Sequence, residues 1–531
     1  GDLYKFRVTT QRGDAYDRID PFAFSSELRP NTASRVCDLS GFAWSDGAWM
    51  ARRNKGYGQP LSIYEVHAGS WRRKDGDFLS YEELAETLIP YVQSMGYTHI
   101  ELMPLGEYPF DGSWGYQTTG YFAATSRYGA PQGLMRLVDA CHAAGLGVLL
   151  DVVPVHFVTD FYALHQYDGS YLYESPYEGL RYSPWGTALF DYTKPPVLSF
   201  MKSCLDFWLE IYHFDGLRYD AVSNLLYQDG DPAKGDNEPG RWFLREVNYA
   251  LQARHPSALL MAEDSSMAIK VTAPVVYGGL GFDYKWDLGW MHDTLDYLAL
   301  PPAERAGRRE LFLQSMNYFY QDIFLMPFSH DEVVHGKKTI IDKLYGDYEE
   351  KFCQLRALYL YMMTHPGKKL NFMGNDLAEF KEWDEQAELG WNLLTYPAHE
   401  AFHRYFARLH HVYRQLPALF AADYDSRGFE WLDAGQMRST VFAYVRRDLE
   451  GHAAYVALNL GAEGLKAYPL PVTRPGAYVV ALSTDEATYG GNTQAFPALE
   501  AQPGGGGYVL RLTLPPLSGC LLVLQATKGP G

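Results

Sequence analysis

The chain predicts an α/β fold, a (β/α)8 TIM barrel with a C-terminal antiparallel β-sandwich and a truncated N-terminal β module. Three observations carry this expectation. Apolar strand-like runs alternate with helix-like segments roughly eight times over roughly 350 residues, the size of a barrel with insertions. Four of those runs end in Asp, Glu, Arg or His: Asp151-Val152-Val153-Pro154-Val155-His156, Gly216-Leu217-Arg218-Tyr219-Asp220-Ala221-Val222, Met261-Ala262-Glu263-Asp264 and Phe328-Ser329-His330-Asp331-Glu332. A parallel barrel needs this pattern, because its strands are buried and its functional side chains collect at their C-terminal ends. After about Ala421 the helical period stops, and short alternating runs separated by Gly, Asn and Pro take over.

Residues 1–53 read as the tail of a β module and a linker. The run Leu3-Tyr4-Lys5-Phe6-Arg7-Val8 resembles a strand in the middle of a β domain, so further residues are expected ahead of it. Residues 54–420 form the barrel. Its first strand is expected at 61–66 and its first helix at 81–94, where Ser80 is the N-cap ahead of Glu82 and Glu83. Strand 99–102, helix 131–144, strand 147–153 and helix 197–212 follow. Strand 216–219, helix 242–254 and strand 258–262 come next, then a sixth unit around 281–298. Strand 321–327, helix 352–364, strand 369–373 and helix 399–416 complete the count. In the region 421–531, strands are expected at 440–445, 453–460, 477–482 and 508–514, with a turn at Pro503-Gly504-Gly505-Gly506-Gly507. The aromatic-rich stretch 157–196 has no period. It is either a sugar-binding lid over the barrel's active face or a self-packed loop.

A chain of 531 residues exceeds one core and implies two to four domains. Its net charge of -18 and pI near 5.3 argue against nucleic acid or an anionic membrane as partner, since both demand a basic face. A neutral polymer is compatible. Aromatic residues reach 15%, which suits flat platforms for sugar rings, although most of the 41 Tyr are expected simply to pack. Cys37, Cys141, Cys204, Cys353 and Cys520 are odd in number and scattered, with neither disulfide nor metal-ligand spacing, so a reducing cytoplasm is expected. The first residues show no basic-then-apolar signal, and no apolar run is long enough to cross a bilayer.

Breaking an acetal between sugars takes two carboxyl groups, one to attack C1 or activate water and one to protonate the departing oxygen. Arg218 and Asp220 are two apart and share one face of a strand, so the arginine is expected to aim Asp220 and keep it ionised for nucleophilic attack. Glu263 ends an apolar run that would raise its pKa for the acid role. His330 and Asp331 could hold adjacent sugar hydroxyls. Each residue alone would more often be a structural ion pair; four such strand ends at barrel spacing make that reading poor.

These segments resemble the conserved regions of the α-amylase superfamily, (β/α)8 enzymes that act with retention. The resemblance implies Asp220 as nucleophile, Glu263 as acid/base and Asp331 as transition-state stabiliser. It sets Asp151, His156, Arg218 and His330 around the reacting ring, and Tyr116, in Trp114-Gly115-Tyr116-Gln117, as the tyrosine that stacks on it. More narrowly, the chain is similar to the 1,4-α-glucan (glycogen) branching enzymes. Pro60–His67 with Gly69-Ser70-Trp71-Arg72, Glu101-Leu102-Met103-Pro104, Gly278–Leu295 and His330–Lys337 carry this likeness. It runs from about Asp20 to the last strands. Asp264 stands where the family has a second Glu, and Val152 where Trp is common. Val155 replaces the Asn that holds calcium in many α-amylases, so no metal is expected. No cofactor is implied, no phosphate loop appears, and His410-His411 reads as a helix-surface pair.

The expected activity is therefore glucan transfer, with α-1,4-glucan as both donor and acceptor and a monomer as the working unit. A hydrolase on the same barrel, amylase-like or debranching, is the alternative, because fold does not separate the two. A non-catalytic glucan-binding protein would have no reason to keep Asp220, Glu263 and Asp331 together.

Overall fold

A computed structural model describes residues 1–432 and 438–525; the rest of the expected 421–531 domain lies outside them. Eight parallel strands close into a barrel: β1 (Ser62–Val66), β2 (His99–Leu102), β3 (Gly147–Val152), β4 (Gly216–Tyr219), β5 (Leu259–Ala262), β6 (Tyr284–Trp286), β7 (Phe324–Phe328) and β8 (Lys368–Phe372). All but one of their residues are buried, so they need cover on both faces. The outer cover comes from α1 (Tyr81–Met95), α2 (Pro131–Ala143), α3 (Pro195–Ile211), α4 (Glu238–Arg254), α5 (Leu288–Ala299), α6 (Tyr348–Thr364) and α7 (Pro397–Gln415). Helix α1 shows the local logic. Ser80 Oγ accepts from the Glu83 amide at 3.1 Å while the Glu83 carboxylate accepts from the Ser80 amide at 2.9 Å, a capping box worth about 1 kcal/mol. Leu84, Leu88, Val92 and Met95 recur at helical spacing on its buried face, and Gly96, at φ 84°, ends it.

The expected strands 99–102 and 216–219 coincide with β2 and β4. Other boundaries move for identifiable reasons. Strand β7 starts three residues late because Asp322 is spent on Thr272, accepting from its amide and hydroxyl at 2.7 Å each. Helix α6 starts a turn early because Asp347 and Glu350 form a second capping box. Helix α4 also starts early, where the Asn237 side chain accepts from the Gly240 amide at 3.0 Å.

The C-terminal region forms a six-stranded and a three-stranded antiparallel sheet around their own core. Among the described residues, five strands there escape sequence reading: the short Phe429–Trp431, Leu499–Glu500 and Gln502–Gly504, and two long ones. Leu465–Val472 contains Pro469 and Pro471, which argue against a strand, and it lies at a sheet edge where proline is tolerated. Ser518–Leu524 is central in the larger sheet. Arg446 fastens this domain to the barrel by donating to Thr364 O at 2.7 Å and to Asp423 at 2.6 Å, which in turn accepts from Lys368 of β8 at 2.8 Å. At the other end, the 1–53 segment forms a hairpin (Phe6–Thr9 with Ala15–Arg18) and a short helix (Gly47–Arg52). Trp49 in that helix donates to Asp215 at 2.8 Å, immediately before β4.

One histidine reading is corrected. His410 is buried rather than on a helix surface: its ring meets Ser62 Oγ at 2.8 Å and Phe406 O at 3.1 Å, because α7 packs on β1. Among the described residues, no helix is long and apolar enough to cross a membrane.

Candidate active site

The chain leaves β4 through a kink that assembles the site. Ala221 adopts a left-handed conformation, φ 50° and ψ 44°, which a non-glycine residue enters at a cost of about 1–3 kcal/mol. The kink turns the Ala221 amide toward Glu263, donating to Oε2 at 2.8 Å, and the Val222 amide toward Glu263 O at 2.9 Å. Asp220 is held from behind, its amide donating to Val152 O at 3.0 Å. The two carboxylates at the ends of β4 and β5 are thus fixed to one another through backbone, and both face one cavity.

Arg218 lies beneath them, fully buried. Its Nη1 donates to Asp220 Oδ1 at 2.9 Å and to Asp151 Oδ2 at 2.7 Å, and Nη2 lies 3.6 Å from Glu263. The register that sets Asp151 opposite Arg218 on β3 and β4 makes this possible. Trp286 covers the guanidinium at 4.4 Å from its ring centre. Tyr116 donates its hydroxyl to Asp151 Oδ2 at 2.5 Å. Asp151 and Arg218, expected around the reacting ring, are therefore buried below the cavity floor and outside its lining. Asp151 accepts from Tyr116 and Arg218, and Arg218 donates to Asp220 and lies near Glu263.

His330 is oriented by a residue that sequence reasoning missed. Glu65 on β1 meets His330 Nδ1 at 2.5 Å and accepts its backbone amide at 3.0 Å. This leaves Nε2 toward Tyr116 and Asp331, at 3.3 and 3.5 Å. The available signal was a lone carboxylate inside the apolar strand Ser62-Ile63-Tyr64-Glu65-Val66. Asp264 is also explained: it pairs with Lys285 at 2.9 Å and accepts the Ser266 amide, which fixes the loop behind Glu263.

The charges follow from this packing. Burial of the His330 ring would lower its pKa, but Asp331 and Glu65 outweigh it and raise the ring to about 9. Burial alone drops His156 to about 4, so it is neutral. Asp331 is half-exposed; burial would raise it, and His330 and Arg218 hold it below the usual range. Burial raises Glu263 to about 7, with Arg218 opposing and Asp220 adding. The same burial raises Asp220 to about 7 despite Arg218, and Asp151 and Asp331 push the same way. The expectation that Arg218 simply keeps Asp220 ionised is thus corrected, because one guanidinium serves three carboxylates.

Asp220 and Glu263 are both raised by burial and share Arg218, so a pair carrying one proton is the expected working form. The direct Arg218 bond favours the anion on Asp220, which leaves the proton on Glu263. The expected pH dependence of kcat/KM is a bell centred near 7. Acid protonates Asp220, and alkali strips Glu263. A profile flat from pH 5 to 9 would contradict this pairing.

The cavity measures about 570 Å³. Tyr116, His156, Asp220, Glu263, His330 and Asp331 all line it, so six of the eight expected site residues converge there. Trp114 and His335, stacked at 5.3 Å, form its rim above β2 and β7. Trp185 and Thr187 from the 157–196 loop line it too, whereas Tyr173 of that loop is buried in the core. The loop is therefore partly lid and partly self-packed. Tyr116 stacks on His330 at 5.5 Å and opens to the cavity. Tyr116→Ala should lower kcat/KM by about 1–3 kcal/mol if sugar stacking resembles base stacking. An unchanged value would make Tyr116 a packing residue. Among the described residues, no group of three or more His, Cys, Asp or Glu has metal-binding geometry.

Comparison with known proteins defines the class first. The alpha amylase catalytic domain matches residues 80–178, and the alpha amylase C-terminal all-beta domain matches 431–525. An α-amylase from Geobacillus thermoleovorans, solved with acarbose, shares the fold at a TM-score of 0.68 and 15% identity, covering 90% of this chain and all of that one. The 1,4-alpha-glucan branching enzyme GlgB of Bacillus caldolyticus is 46% identical over 97% of this chain and 79% of its own length. That of Geobacillus stearothermophilus is 43% identical over the whole chain and 84% of its own. The chain belongs to the 1,4-α-glucan branching enzyme family.

Proposed function

We propose that this protein cleaves α-1,4-glucosidic linkages by a retaining double displacement and passes the chain to a 6-hydroxyl, building α-1,6 branches in glycogen. The observation that carries the chemistry is the Asp220–Arg218–Glu263 cluster opening on one cavity. In the first step Glu263 gives its proton to the glycosidic oxygen, the C1–O bond breaks, and an Asp220 oxygen attacks C1 to form a glycosyl ester. In the second, a 6-hydroxyl attacks C1, the ester bond breaks, and the hydroxyl proton passes to Glu263. Asp331, held ionised by His330, stabilises the positive charge that develops on the ring. His156 and His330 contact sugar hydroxyls, while Asp151 and Arg218 hold the geometry.

We assign residues 1–53 to the β module and linker, 54–420 to the catalytic barrel and 421–531 to the C-terminal domain. The five cysteines are unpaired, which fits a reducing cytoplasm. One chain carries every proposed catalytic residue, which fits action as a monomer. Linkage analysis tests the proposal. Amylose treated with the protein should gain 4,6-disubstituted glucosyl units, and a product without them would refute the branching step.

A further inference from the structure

The cavity has two rims. Trp114 and His335 follow β2 and β7, on the side of Asp331. The other rim follows the consecutive strands β3, β4 and β5, on the side of Glu263, and carries Trp185, Ser223, Asn224, Asp229, Gly230 and Ser265. In a retaining transfer, the leaving chain and the acceptor use the same acid/base group in turn, so both occupy the Glu263 side. The second rim is therefore where an acceptor must enter.

Two features of this rim face the cavity: Trp185, and Asp229, one of whose carboxylate oxygens also pairs with Lys234 at 2.9 Å. Trp185 is 55% exposed at the tip of a tight turn. The turn is pinned at its neck, where the Ser183 and Thr187 hydroxyls meet at 2.6 Å and the Ser183 amide donates to Thr187 O at 2.9 Å. An indole held rigidly in solvent beside His156, ring centres 5.3 Å apart, gives up burial that a structural residue would seek. Asp229 faces the same cavity from a left-handed conformation, φ 52°. Its loop is braced by Asn237, whose side chain donates to Asn224 O at 2.9 Å, and by the Gln228 amide, which donates to Gly235 O at 2.9 Å. Gly230 lies against the Asn224 side chain so closely that a Cβ would meet it at 2.9 Å. A second, smaller cavity of about 110 Å³ shares Asn224 and Asp229, so the cleft extends past this rim.

We propose that Trp185 and Asp229 form the acceptor subsite: the indole is the platform for an incoming glucosyl ring, and the carboxylate fixes its hydroxyls so that O6 rather than water reaches C1. This rests on the transferase reading above. When O6 is held there, the C1–Asp220 ester bond breaks as C1–O6 forms, and the O6 proton passes to Glu263. When the platform is removed, water fills the same space and the ester ends as a free reducing end.

The test is a partition ratio, measured with amylose on the intact chain. New reducing ends count hydrolysis, and chains released by isoamylase count transfer. Trp185→Ala and Asp229→Asn should each raise the hydrolysis-to-transfer ratio at least fivefold, with Trp185→Phe close to wild type. A high concentration of short linear glucan should restore the ratio in both damaged variants. An unchanged ratio, or a loss of both products in proportion, overturns the proposal. Wild-type protein that makes no branches would instead refute the transferase reading itself, so the two failures are separate.

Discussion

Asp220→Asn should abolish turnover, by a factor on the order of 10⁴ or more, with the fold intact. An amide cannot form the glycosyl ester, and no neighbour can substitute. Glu263 is tied to the Ala221 amide, and Asp331 lies in a turn that follows β7, on the other side of the cavity. The same change should not weaken the protein. Burial raises both members of the Asp220–Glu263 pair to about 7, so the fold favours a pair that keeps a proton over two buried anions. The corresponding stability is present below the unfolded carboxyl pKa and is lost as pH rises through about 7. At pH 8 the folded protein bears the cost of a buried anion, which Asn removes. The Tm of Asp220→Asn at pH 8 should equal or exceed that of wild type, by thermal denaturation. Activity within about tenfold of wild type would remove Asp220 from the nucleophile role.

Glu263→Gln should stall both half-reactions on ordinary glucan, because neither the leaving oxygen nor the acceptor then finds its proton relay. It should nevertheless accept a donor whose leaving group needs no protonation, such as a glucosyl fluoride. The glycosyl ester should then accumulate on Asp220, where peptide mass spectrometry reads it. With that donor the alkaline limb of the pH profile should vanish, since the group that produced it is gone. A label on Asp331 or Asp151, or an alkaline limb that persists, would mean that the roles are wrongly divided.

The strand ends were legible because buried parallel strands are apolar, and Asp220, Glu263 and His330 interrupt or end such runs. Their contacts were less legible, because these are set by strand order in space. Glu65 meets His330 across 265 positions of sequence, and only barrel closure brings β1 near β7. The spacing of Arg218 and Asp220 gave their contact but not their charge, which depends on Asp151 and Glu263 sharing the same guanidinium. Trp185 and Asp229 lie on loops without period, where composition shows aromatic content but not which ring faces solvent. Pro469 and Pro471 misled in the other direction, since their meaning depends on whether a strand is central or at an edge.

The central claim is that a chain captured on Asp220 leaves to a sugar hydroxyl and not to water, and counting chain ends tests it most directly. When Asp220 holds the non-reducing fragment, the departing piece carries the original reducing end. Transfer to a 6-hydroxyl then creates no new reducing end, whereas transfer to water creates one per turnover. Incubation with amylose should lower the iodine colour with little rise in reducing ends, and isoamylase should afterwards release new short chains. Reducing ends that rise in step with the colour loss, with nothing released by isoamylase, would contradict the account.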